Sequence, residues 1–128
     1  MGPTGSNINK ALLPIKQKAA ISWIIEKFPN DTRFVIAIGH KASQVREYLA
    51  LTYPEKMFDF IEVENFDGPG SGPGRSLLAC RDYLQCPFYF ISCDTLWNGS
   101  IEYIKDTDWL AVASVPDYQT ELYCNVKI

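Results

Sequence analysis

Asp94, Lys10 and the glycine-rich residues 68–76 are the parts of this sequence whose types and spacing could do chemistry. Asp94 follows the run Phe88, Tyr89, Phe90 and Ile91 within residues 88–97 (FYFISCDTLW), a run without polar alternation. Such a run suits a strand buried on both faces, and in open α/β sheets ligands sit beyond the carboxyl ends of the strands. A carboxylate delivered there can hold a metal or a phosphate-bearing substrate. An Asp followed by Thr95, Leu96, Trp97, Asn98 and Gly99 is also how a strand ends in an Asx turn, and both readings stand on the residues alone.

Lys10 precedes Ala11, Leu12, Leu13, Pro14 and Ile15, so its cation stands at the edge of a packed segment. A solvated lysine is the ordinary outcome for that residue type; a point charge for phosphate is the other. Residues 68–76, GPGSGPGRS, hold four glycines and two prolines and read as a loop with accessible amides rather than as helix or ladder strand. The loop runs into residues 76–84, where Leu77, Leu78, Cys80 and Leu84 supply a helical apolar face. A phosphate or nucleobase can approach the backbone at such a junction, and a flexible surface connection is the alternative. No Gly-Lys-Ser or Gly-Lys-Thr is present, which rejects a P-loop. The spacing of GSGPG likewise rejects the dinucleotide fingerprint. His40, the single histidine, lies in a strand-to-helix turn and reads as a capping or packing residue.

The elements that must position these residues alternate. Residues 18–28 place Ala20 or Ile21, Ile24, Ile25 and Phe28 at helical spacing, and residues 33–38 (RFVIAI) follow as a buried strand. Ser43 begins or caps a helix carrying Val45, Tyr48 and Leu49 that ends by Pro54. Residues 58–63 (FDFIEV) read as a strand nearer the sheet edge, 101–104 as a short helix or turn, and 109–115 and 122–128 as further strands. Helices alternating with strands predict an α/β fold: a Rossmann-like, mostly parallel sheet with helices on both faces, in one partial domain over residues 1–128.

Composition narrows the function classes. With 128 residues, 47% hydrophobic and 21% charged, the chain holds one domain with a core. A net charge of −3 leaves no basic surplus for nucleic acid or an anionic membrane. No stretch approaches the roughly 18 apolar residues of a membrane span, and the start lacks signal-peptide blocks, so a soluble cytoplasmic protein is expected. Cys80, Cys86, Cys93 and Cys124 form no CxxC pair and read as free thiols.

Taken together, five segments in order resemble the sugar-phosphate and choline-phosphate nucleotidyltransferases, with their glycosyltransferase-A-like Rossmann fold. Gly2-Pro3-Thr4 with Lys10 to Ile15 looks like the tail of that family's signature loop and its Pro-Lys-x-Leu segment, here Asn9-Lys10. Residues 16–28 are similar to its turn and helix, and residues 33–40 with 45–49 to its strand ending in Gly-Tyr, with His40 at the aromatic position. Residues 72–78 look like its nucleobase-holding segment ending in Ser-Leu, and residues 88–94 like its strand ending in Gly-Asp or Cys-Asp.

The resemblance implies transfer of a nucleoside monophosphate from a nucleoside triphosphate to a sugar phosphate or small phosphorylated metabolite, with pyrophosphate released. It implies Lys10 and Asp94 as catalytic residues, Asp94 as ligand of a magnesium cofactor, and Gly72, Gly74 and Ser76 as nucleotide-binding residues. Residues 71–77 look more like the cytidylyltransferases of choline-type and capsule pathways, which favours CMP transfer. The implied partners are a nucleoside triphosphate and a phosphorylated acceptor, with no nucleic acid and no membrane, and a second copy of the chain is a candidate for an open sheet edge. The family's first strand and its Gly-x-Gly-Ser/Thr-Arg loop have no counterpart in these residues. The second metal-binding aspartate and much of the acceptor half are expected beyond them, so the domain reads as truncated at both ends. The alternative is therefore a catalytically incomplete nucleotide-binding or structural fragment of the same fold.

Overall fold

The computed structural model describes residues 7–64, 72–100, 107 and 108. The chain enters through one turn of 3-10 helix, Lys10–Leu12, capped by Asn9, whose side-chain oxygen accepts from the Ala11 amide at 2.9 Å. Pro14–Ile15 (β1) and Lys18–Ala19 (β2) then pair as an antiparallel hairpin in the register Pro14↔Ala19. Its two turn residues, Lys16 and Gln17, have φ of 47° and 68°. A left-handed backbone matches the twist of a two-residue hairpin, but it costs a side-chain-bearing residue about 1–2 kcal/mol.

The helix expected over residues 18–28 is shorter, running only Ala20–Ile25 (α1). Lys18 and Ala19 are taken by the hairpin, and the far end tightens into 3-10 bonds, from the Lys27 amide to the Ile24 carbonyl and from Phe28 to Ile25. Even so, α1 buries Ala20, Ile21, Ser22, Ile24 and Ile25.

Arg33–Ile38 (β3), Ala42–Thr52 (α2) and Met57–Glu62 (β4) form a strand, helix, strand unit. The two strands pair in parallel from Arg33↔Met57 to Ile38↔Glu62, with α2 as the crossover that parallel neighbours require. Ser43 does not cap α2; the capping position is Lys41, itself left-handed, with no side-chain bond. Val45 and Leu49 turn inward from α2 and meet Ala11, Ile21, Ile25, Ile38 and Tyr53 in the core. Beside this core the rings of Phe28, Phe34 and Phe58 meet in succession at 5.9 and 5.5 Å between centroids. β3 is less covered than the sequence predicts, with only Ile38 fully buried.

Pro73–Ala79 (α3) starts inside the stretch read as unable to form helix, because a proline in the first turn loses no bond it would otherwise make. It stops at Cys80, before one 3-10 turn at Arg81–Tyr83. None of its own residues is buried, although Cys80 is.

The larger correction concerns residues 88–93. The fully buried strand expected there forms no ladder with the described residues, and Phe88 and Phe90 are 48% and 54% exposed. The segment is covered on one side only: Tyr89, Ile91 and Cys93 are half-buried, and Cys93 packs on the core. Absence of polar alternation therefore did not mean two covered faces.

The described residues thus make a mixed α/β fold with two two-stranded sheets, β1–β2 and β3–β4. The helix expected at 101–104 and the strands expected at 109–115 and 122–128 lie outside the described residues. Among the described residues no helix is long and apolar enough to cross a membrane. Cys80, Cys86 and Cys93 are free thiols, as expected, while Cys124 lies outside them.

Candidate active site

Lys10 is held by its neighbour. Asn9 caps the 3-10 turn with its side-chain oxygen, donates its side-chain N–H to the His40 carbonyl, and donates its amide to Gln44 Oε1 at 2.8 Å. Gln44 in turn donates Nε2 to the Asn7 carbonyl at 3.1 Å. The segment ahead of Lys10 is thereby clipped to the start of α2, and Ala11 beneath it is buried in the core. What remains for Lys10 is to project outward. Its side chain is 51% exposed and donates Nζ to Asp94 Oδ2 at 2.9 Å.

Asp94 reaches that point from the other end of the described chain. Cys93 anchors the segment on the core, and a tight turn closes with the Thr95 amide donating to the Ser92 carbonyl at 3.0 Å. The Ser92 hydroxyl donates to Asp94 Oδ1 at 2.6 Å. The turn thus closes through the backbone of Ser92 and Thr95 rather than as an Asx turn on Asp94, and the carboxylate, presented from that turn and not from a strand end, accepts from Ser92 and Lys10. The Ser92 hydroxyl first, and the Lys10 ammonium second, hold the Asp94 carboxyl below its usual range. The same bond and charge raise Lys10. Burial, and then the Asp94 charge, push the neighbouring Cys93 thiol up.

The other three predicted residues lie at the start of α3, Gly74 and Ser76 within it. Gly72 is the residue before the helix, at φ 142°, a backbone that favours glycine. A Cβ built on Gly72 or Gly74 would meet no atom within 4 Å, so no crowding inside the chain requires glycine at 74. Ser76 turns its hydroxyl back to the Gly72 carbonyl at 3.5 Å. Among the described residues no hydrogen bond or ion pair joins Gly72, Gly74 or Ser76 to Lys10 or Asp94. Two of the five predicted residues are brought together, and no such bond joins the other three to them.

No group of three or more His, Cys, Asp or Glu side chains that could hold a metal ion occurs among the described residues. Asp94 alone fits the way magnesium is commonly held, by one or two carboxylates with substrate phosphates and waters completing the octahedron. Its carboxylate is ionised, half-exposed, and has lone pairs beyond the two hydrogen bonds it accepts. Asn9 and Gln44 are positioning residues that the sequence reading gave no role. Asn at the head of a turn is a recognisable cap signal, whereas nothing in the sequence marks Gln44 as its partner.

Against known proteins, the chain is 24% identical over 100 residues to the Bifunctional protein GlmU of Methanococcus vannielii. The match takes in 77% of this chain and 22% of that protein, so the chain spans well under a third of its relative. No family model matches, and no solved structure matches.

Proposed function

We propose that this chain is the catalytic part of a nucleotidyltransferase that moves a nucleoside monophosphate, CMP in our reading, from its triphosphate to a small phosphorylated acceptor. The observation that carries the proposal is the contact of Lys10 with Asp94, made 84 residues apart in sequence and left half-exposed. The distant likeness to the GlmU protein supports the same coarse class, a nucleotidyltransferase family.

In this reaction an acceptor phosphate oxygen attacks the α-phosphorus, pyrophosphate leaves, and negative charge gathers around one phosphorus. Placement and countercharge supply most of the rate. Lys10 exchanges Asp94 for a phosphate oxygen as the nucleotide arrives. The exchange is inexpensive because an exposed ion pair is worth only about 0–1 kcal/mol. Asp94, released on Oδ2 and still held on Oδ1 by Ser92, is the residue that would hold magnesium. A bound magnesium ion supplies charge neutralisation and orientation of the phosphates. The open space beside Gly72 and Gly74 leaves their backbone reachable by a base or ribose.

The test is the melting midpoint of the chain with magnesium and each of CTP, UTP, GTP, ATP and dTTP in turn, followed by pyrophosphate release with phosphorylated acceptors. A magnesium-dependent rise for one nucleotide supports the proposal and names the base. A cooperative melt that no nucleotide shifts overturns it.

A further inference from the structure

Between the β1–β2 hairpin, α1 and the turn after Asp94 lies a cleft of about 200 Å³ that none of the residues assigned above lines. Its walls include Trp23, Ile24, Leu96 and Trp97, with Lys16 and Lys27 at its polar side. The Trp23 indole is fixed by donating Nε1 to the Ile15 carbonyl at 2.9 Å. Lys27 donates to the Gly99 carbonyl at 2.6 Å and stands 5.2 Å from the Trp97 ring centre. Lys18 covers the Trp23 ring at 4.2 Å and is balanced by Glu26 at 3.3 Å. Among the described residues Lys16 pairs with nothing and no carboxylate lines the cleft. The hairpin presents Lys16 from a left-handed backbone without glycine, and strain of that kind is retained where the surroundings over-determine it.

The cleft adjoins the site already described. Leu96 is two residues from Asp94, a step that spans at most about 7 Å. The two indoles offer a ring something to stack on, and Lys16 and Lys27 form no ion pair among the described residues. An aromatic pair of this kind would ordinarily also attract a cation. Here Lys16 and Lys27 stand at the cleft's polar side, so an amine or quaternary ammonium would meet like charge.

We propose that this cleft binds the acceptor, and that the acceptor is a small phosphorylated compound with a ring face and no cationic group. Lys16 and Lys27 supply its countercharge, Trp23 stacks on its ring from the side away from Lys18, and Trp97 closes the other wall. The assignment as acceptor rests on the transfer reaction proposed above; the anion preference of the cleft does not.

The test follows tryptophan emission of the chain, without nucleotide or metal, during titration with phenyl phosphate, phosphocholine and inorganic phosphate. Phenyl phosphate is expected to quench saturably and to bind at least tenfold more tightly than the other two. Lys16→Gly and Lys27→Met are each expected to weaken it at least fivefold. Lys16→Gly should hold or raise the melting midpoint, since glycine accepts φ 47° without strain. No saturable quenching, phosphocholine or inorganic phosphate binding as tightly as phenyl phosphate, or unchanged affinity in both lysine variants overturns the proposal. Quenching by phenyl phosphate in a chain that no magnesium nucleotide stabilises leaves the anion site standing and overturns its role as acceptor site.

Discussion

Replacing Asp94 by Asn separates a binding residue from a merely structural one. The substitution removes the charge opposite Lys10 while keeping an oxygen to accept from the Ser92 hydroxyl. Both members of the ion pair are about half exposed, at 51% and 50%. Such a pair contributes about 0.2–1 kcal/mol after solvent screening. For a domain of this size that corresponds to a fall in melting midpoint of no more than about 4 °C. A nucleotide at a hundred times its dissociation constant stabilises by about 2.7 kcal/mol, or roughly 10 °C on the same scale. The two effects are separable in one differential scanning experiment.

The expected result is a variant that melts within a few degrees of the parent and has lost the magnesium-dependent shift. A full shift in Asp94→Asn would refute the assignment of Asp94 to the metal; a fall well beyond 4 °C would refute the ledger for the pair. The pH dependence follows from the directions of the two shifts. Asp94 is depressed, so its share of the stability is present above the ordinary carboxylate value of 3.8 and is lost as pH falls through its folded value. Lys10 is raised, so its share is complete below 10.5 and is lost as pH rises through its folded value. The difference between parent and variant should therefore be flat between about pH 5 and pH 9 and vanish in acid.

Other outcomes test the scaffold. Leu49 is 0% exposed, and Leu49→Ala is expected to cost about 2–5 kcal/mol by urea denaturation through the cavity it leaves. Burial pushes the Tyr53 phenol up to about 12, so the parent should lose stability as pH rises from about 10 toward 12, by roughly 2–3 kcal/mol. Tyr53→Phe should remove that alkaline slope and, through the lost 2.7 Å bond to Glu26 Oε2, cost about 0.5–1.5 kcal/mol at neutral pH. A thiol-reactive chromophore should label exposed Cys86 rapidly and buried Cys80, whose thiol burial raises, only on unfolding; loss of the fast phase in Cys86→Ser checks the assignment.

The parallel pair of β3 and β4 and its helical crossover were legible because three successive periodicities, strand, helix and strand, agree over residues 33–62. The resemblance named Lys10 and Asp94 for one site but not the ion pair between them. Boundaries failed where a backbone turn overrode side-chain pattern. Lys18 and Ala19 fit a helical face, yet they pair in a hairpin whose turn residues, Lys16 and Gln17, carry none of the usual glycine signal. Residues 88–93 failed for a different reason. Apolarity records what a side chain tolerates, and Phe88 and Phe90 stand half-exposed where Tyr89 and Ile91 do not. The cleft of Trp23 and Trp97 was unreadable, since it joins residues 74 positions apart whose types each have an ordinary packing role.

The span of 84 residues between Lys10 and Asp94 has a kinetic consequence. β3 and β4 close a loop of only 24 residues, from Arg33 to Met57. Closing the longer loop costs about 1 kcal/mol more in chain entropy, roughly all that the exposed pair returns. The ion pair therefore cannot draw the two ends of the described chain together. It forms after the hydrophobic contacts of Ala11 and Cys93 with the core have done so. Lys10 and Asp94 meet last, and a refolding signal from that pair would report the completed molecule rather than its nucleus.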